Sequence, residues 1–202
     1  MADGILKVGT ITTSSGSGTI TLGQSGETIN VSGTAGTGFG KILQVVQVAK
    51  TDTYSESIAG NSLSSTLVTG LQPSITPAST SNKVLVMATL TVGYASNSTG
   101  DSMGFLLKRD STAIARGDAD GSRTRITTGN NFSSTYQVED LSMTFLDTPS
   151  STSSITYAIN LFNGSGSTRN VYLNRDDRNT DAAYTARGIS TITLMEVAGW
   201  LI

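Results

Sequence analysis

Apolar residues follow two different rhythms along this chain. Over residues 9–35 they recur every nine positions: Ile11, Ile20 and Ile29 stand in register, followed two residues later by Thr13, Leu22 and Val31. Each unit reads as a short strand and a tight Gly/Ser turn, with the Ile and the Leu or Val on one face. So few apolar groups cannot build a core within one chain, and such repeats need stacked neighbours or identical chains beside them. From Lys41 onward the apolar runs lengthen. Lys41–Val48 is the first run long enough for a buried strand. Phe39, the first aromatic residue, marks the change, and Gly36, Gly38 and Gly40 let the backbone turn between the two regimes.

The second regime alternates. Val84, Val86, Leu90 and Val92 share a face of the strongest strand, as do Leu141, Met143 and Phe145, and then Ile155, Tyr157, Ile159 and Leu161. Ile192 and Leu194 oppose Met195 and Val197 in the last strand. Met103–Lys108 and Thr112–Arg116 pair about Arg109-Asp110-Ser111, and Leu67–Leu71 reads as an edge strand with Pro73 and Pro77 as punctuation. No segment has a helical period. Around eight strands at this spacing predict an all-β fold: a short-strand repeat leader over 1–38, then a jelly-roll-like antiparallel β-sandwich over 39–202. Loops near 95–102, 117–134 and 163–181 are the expected tips.

Composition narrows what the domain does. Of 202 residues only 14% are charged and the net charge is −2, while Ser and Thr supply roughly three residues in ten, above ordinary usage. Clustered Lys and Arg are missing, which argues against a nucleic-acid partner. The chain has no His and no Cys, which removes the usual general base, the commonest metal ligand and any disulfide frame. No catalytic residue, metal site or cofactor is expected, and the protein reads as a non-enzyme. The N-terminus lacks the basic and apolar regions of a secretory signal. No window is long and apolar enough for membrane insertion.

Three stretches resemble chemical motifs. Ala35–Ile42 approaches a phosphate loop but lacks the first Gly, has Ile42 where Ser or Thr would hold magnesium, and leads into a strand. Asp118-Ala119-Asp120-Gly121 begins like a calcium loop, yet no Glu stands at the twelfth position, so a β-turn is expected. The densest polar cluster is Asn174–Asp181. Arg175, Asp176, Asp177 and Arg178, flanked by Tyr172 and Tyr184, read either as a loop that contacts a host surface or as a solvated or subunit-contact loop. Tyr172 and Tyr184 fit equally as stacking platforms for a sugar ring and as core residues.

Gly40–Val46, Leu67–Leu71, Ser74–Val86 and Ala186–Val197 resemble a β-domain recurrent in fibre and particle-surface proteins of tailed bacteriophages, cyanobacterial phages among them. The resemblance spans most of residues 40–198. It implies a homotrimeric virion surface protein made in the host cytoplasm, with the leader attached to the particle and the β-domain facing outward. The expected role is a short fibre or knob that binds host surface polysaccharide. The alternatives are a capsid decoration protein clamped to the major capsid protein and, further off, a polysaccharide-degrading enzyme. Trimer or virion contact falls on Ile11, Ile20, Leu22, Ile29, Val31 and Phe39.

Overall fold

The structure, a computed structural model, describes residues 42–95 and 101–199. The repeat positions Ile11, Ile20, Leu22, Ile29 and Val31, the Gly-rich turn with Phe39, and Trp200 lie outside the described residues.

The described residues form an all-β sandwich of antiparallel strands. The first sheet holds β1 (Ile42–Lys50), β2 (Tyr54–Ile58), β5 (Lys83–Tyr94), β9 (Val138–Asp147), β11 (Arg169–Leu173) and β12 (Ser190–Val197). The second holds β3 (Ser62–Leu63), β4 (Ser74–Ile75), β6 (Asp101–Arg109), β7 (Thr112–Ala113), β8 (Thr128–Phe132) and β10 (Ile155–Asn163). The core lies between them. Val84, Val86, Leu90 and Val92 of β5 meet Phe105 and Leu107 of β6 and Tyr157, Ile159 and Leu161 of β10, all fully buried. Each such side chain contributes on the order of 1.5–3 kcal/mol through removal from water.

Register shows how the first sheet is laid out. β9 runs along one whole edge of β5, from Val84↔Asp147 to Gly93↔Val138. The other edge is shared: β12 takes Lys83 to Thr89, and β11 takes Val92 to Tyr94. β11 and β12 are therefore one line interrupted by residues 174–189. Their outer neighbours β2 and β1 are likewise one line, interrupted at Thr51–Thr53. The two interruptions lie side by side. Asn174, fully buried and at φ 61°, joins them by donating from Nδ2 to the carbonyls of Lys50 at 2.8 Å and Asp52 at 2.7 Å.

Three sequence expectations change. Lys41–Val48 does not yield a buried strand: β1 is the outermost strand of its sheet, with Val46 and Val48 packed on the core and Ile42, Leu43 and Val45 exposed. Leu67–Leu71 is a turn, not an edge strand. The Leu71 amide donates to the Val68 carbonyl at 3.2 Å and Gly70 sits at φ 82°, which buries Val68 and Leu71 without a ladder. The strand expected over Thr112–Arg116 ends at Ala113, because Ala115 takes a positive φ of 49° that ladder geometry does not accept. The strands among the described residues are also more numerous than the eight expected, because the two lines are broken and the short β3, β4 and β7, two residues each, add to them.

Candidate functional site

The polar cluster of the sequence is the excursion between β11 and β12. Its root is closed by side chains that replace the missing ladder. The Asn174 amide donates to the Thr91 carbonyl at 2.8 Å, and the Thr91 amide donates to Ser190 Oγ at 3.2 Å. Ser190 Oγ in turn donates to Asn174 Oδ1 at 2.7 Å, and the Gly188 amide donates to the Asn174 carbonyl at 3.1 Å.

From this root the excursion folds across the outward face of the first sheet. A Cβ placed on Gly93 would come within 2.2 Å of the Arg175 carbonyl oxygen, and one on Gly188 within 2.4 Å of the Thr91 methyl. Gly93 is thus required by the close approach of another backbone. Tyr172 pairs with Gly93 in the ladder and lies on the same outward face. It is nevertheless buried, because the Arg175 guanidinium covers its ring at 3.9 Å from the centroid. Its hydroxyl donates to Asp177 Oδ1. Burial, and then this bond, push the Tyr172 pKa above the ordinary tyrosine value. Tyr172 is neither a stacking platform nor part of the inter-sheet core. It is a floor on which the loop rests.

Arg175 donates from Nη1 to the carbonyl of Asp176 at 2.8 Å, curling the loop over its own side chain. Asp176 is buried, and its Oδ2 accepts from Arg178 Nε at 2.8 Å and Nη2 at 2.6 Å. Its Oδ1 accepts the Asn179 amide at 3.2 Å. The desolvated carboxylate and two-pronged bond distinguish this pair from a loose surface ion pair. The plane of Arg178 is thereby fixed, and two tyrosine rings flank it: Tyr136 at 4.2 Å and Tyr184 at 5.3 Å from ring centroid to guanidinium carbon. Both rings are open to solvent, Tyr136 at 63% and Tyr184 at 71% exposure.

Tyr136 comes from the loop before β9, far away in sequence. The Asp177 amide donates to the Thr135 carbonyl at 3.3 Å and brings the two loops together. Sequence reasoning placed Arg178, Asp176 and Tyr184 in one cluster but passed over Tyr136. The sequence reads Tyr136 as the first residue of an alternating strand over Tyr136–Leu146, whereas β9 begins at Val138 and leaves Tyr136 in the loop before it.

Of the other motif candidates, Ala35–Lys41 of the phosphate-loop-like stretch lies outside the described residues, and the calcium-loop-like stretch shows ordinary turn chemistry. Asp120 pairs with Arg123 in an exposed turn, with Gly121 at φ 54°. Of the expected tip loops, residues 96–100 lie outside the described residues, Asp101 and Ser102 belong to β6, and 117–134 includes β8. Among the described residues no group of three His, Cys, Asp or Glu side chains could hold a metal ion, and no helix is long and apolar enough to cross a membrane.

Comparison with known proteins yields structural matches only. No protein-family model matches the chain, and no curated protein matches it. Among solved structures it is similar to one of infectious bursal disease virus strain Gx, at 14% identity and a TM-score of 0.33, covering 77% of this chain. A second similar structure is the VP2 subviral particle of infectious bursal disease virus, at 12% identity, a TM-score of 0.33 and the same 77% coverage. The chain spans 37% and 38% of the length of those two chains.

Proposed function

We propose that this chain is a non-enzymatic structural protein of a tailed-phage particle, assembled as a homotrimer. In this reading it presents the Tyr136–Arg178–Tyr184 cluster to polysaccharide on the host surface. The observation that carries the reading is the buried Asp176, which fixes Arg178 between two exposed aromatic rings. An exposed tyrosine offers a flat apolar face and a hydroxyl at modest entropic cost, and a guanidinium donates to ring hydroxyls in fixed directions. Rigid placement before binding reduces what association must order. A single such cluster binds weakly, and several copies on one particle raise the effective affinity through multivalency. The resemblance of residues 40–198 to phage particle-surface domains supports the virion assignment.

The test uses the full chain and intact host cells. Replacing Tyr136 and Tyr184 with Ala, both exposed, should lower cell-surface binding at least tenfold while the melting midpoint stays close to wild type. Unchanged binding would remove the cluster from attachment, and absence of the protein from purified particles would remove the virion assignment. Copy number on the particle separates a fibre, present as a few trimers, from a capsid decoration protein present in tens to hundreds. Purified protein should release no oligosaccharide from host envelopes.

A further inference from the structure

Asn163 stands at the end of β10, where its backbone pairs with Met103 of β6 and Ser62 of β3. Its side chain is fully buried. Nδ2 donates to the carbonyls of Ile58 at 2.7 Å, Ala59 at 3.1 Å and Ser167 at 2.9 Å. Oδ1 accepts from the Tyr94 hydroxyl and from the Ser165 amide at 2.9 Å. The carboxamide thus ties β10 to the end of β2, to β5 and to the turn that follows. The position needs donors and an acceptor on one small head group, which a carboxamide offers and a carboxylate does not. The next residue is constrained separately. A Cβ on Gly164 would collide with Ser102 Oγ and with the Phe162 ring, so any larger residue displaces both. Two independent packing demands therefore place Asn directly before Gly, the chain's single Asn-Gly pair.

Asn-Gly is the pair most prone to deamidation, because glycine has no side chain to hinder attack by its own backbone nitrogen. We propose that Asn163 is a covalent modification site sealed by the fold and open only in the unfolded chain, and that modification there makes unfolding irreversible. In the reaction the Gly164 nitrogen gives up its proton and bonds to Asn163 Cγ. The Cγ–Nδ2 bond breaks and ammonia leaves. Water then opens the cyclic imide at either carbonyl, giving aspartate or isoaspartate, with no oxidation or reduction. The native structure opposes each step. The Gly164 N–H is donated to the Ser102 carbonyl at 2.8 Å. The carboxamide is held at both its nitrogen and its oxygen. The buried site is closed to the water that opens the imide. The products do not fit. At neutral pH a carboxylate has no proton for the carbonyls of Ile58, Ala59 and Ser167, and it sets a desolvated charge against three carbonyl oxygens. Isoaspartate also lengthens the backbone and breaks the register at Asn163↔Met103. A chain that opens and soon closes keeps its carboxamide, and one that stays open loses the way back. Persistence of the fold is then governed by a rate.

The experiment holds the full chain in mildly alkaline buffer, with and without urea at an unfolding concentration. Peptide mass mapping follows Asn163 through the exchange of its amide nitrogen for oxygen. In urea Asn163 should convert ahead of the other asparagines. In the native protein its conversion should be at least a hundredfold slower, since it waits on opening. Urea is then removed, and size exclusion separates refolded chains from those that fail to refold. Converted Asn163 should be at least tenfold enriched among the chains that fail. Equal conversion with and without urea overturns the proposal, and so does converted Asn163 in the same proportion among refolded chains. Gly164→Ala, compared with wild type in urea where its own folding is immaterial, should convert at least tenfold more slowly. An unchanged rate in that variant would mean that the amide is not lost through the Gly164 nitrogen, and would also overturn it.

Discussion

Tyr157 donates its hydroxyl to Asp147 Oδ2 at 2.7 Å, joining a central strand of the second sheet to the outer strand of the first. Asp147 is buried, and Arg109 Nη1 reaches both of its oxygens at 2.9 and 3.0 Å. β6, β9 and β10 thus converge on one carboxylate at the edge of the core. Removing a partner leaves a desolvated charge short of a donor. Tyr157→Phe should cost about 1.5–3 kcal/mol, the range for a hydrogen bond to a charged group. Arg109→Ala should cost more, about 2–4 kcal/mol, because a charge is lost as well, with the value held down by the partial exposure of Arg109. Urea melts of the two variants check the order. If Tyr157→Phe proves the more damaging, the hydroxyl's hydrogen bond to Asp147 outweighs the ion pair.

The close approach at Gly93 makes a second prediction. Gly93→Ala should displace the Arg175 carbonyl and with it the roof over Tyr172, while the core face of β5, made by Val92 and Tyr94, stays packed. Tyr172 should then become accessible to tyrosine-modifying reagents and host-cell binding should fall, with a stability loss of about 1–3 kcal/mol for overpacking. Asn174→Ala provides the comparison. It leaves two carbonyls, of Lys50 and Asp52, without their donor, and should cost about 2–4 kcal/mol at roughly 1–2 for each group left unpaired. Equal modification of Tyr172 in wild type and Gly93→Ala would show that the loop does not shield it.

Acid should loosen the opposite end of the sheet. Glu196 is buried in β12, and its carboxylate accepts from Gln44 Nε2 at 2.6 Å, Asn82 Nδ2 at 2.5 Å and the Ala78 amide at 2.7 Å. Burial pushes its pKa up, but these three donors outweigh burial and hold it below the ordinary value. A carboxyl with a lowered folded pKa contributes stability that is fully present above its unfolded value of about 4.3 and is lost as pH falls through the folded one. Unfolding free energy measured across that interval should therefore fall with pH. Glu196→Gln should flatten this dependence and be less stable at neutral pH, since its amide group turns a donor toward Asn82 or Gln44. A variant as pH-sensitive as wild type would assign the acid response to other carboxylates.

The sandwich was legible because alternation reports which residues face the core. Val84 to Val92, Leu141 to Phe145 and Ile155 to Leu161 each give a strand with its apolar face inward. Alternation is silent about what covers the outward face. Tyr172 reads as a polar-side residue or a core residue with equal ease, and only the excursion from 174 to 189 decides that it is roofed. The same silence hides Tyr136, which joins Arg178 through a contact across the sheet. Val45 and Leu43 look like core residues in a run that turns out to be an outermost strand, because strand order lies in long-range pairing. Asn174 gives no pattern at all: a single polar residue at positive φ joins two broken strand lines.

That joint has a consequence for how the surface can diversify. β11 and β12 keep one line across residues 174–189, and the root is sealed by Asn174, Ser190 and Thr91. The stretch beyond the Asp176–Arg178 anchor, from Asn179 to Arg187, can therefore be lengthened, shortened or rewritten without shifting the register of any strand. Loop content and sandwich register are separately encoded there, in the manner of a socket and an exchangeable bit. On the attachment role proposed above, a change of binding target would need only a few residues while the sandwich stays as it is.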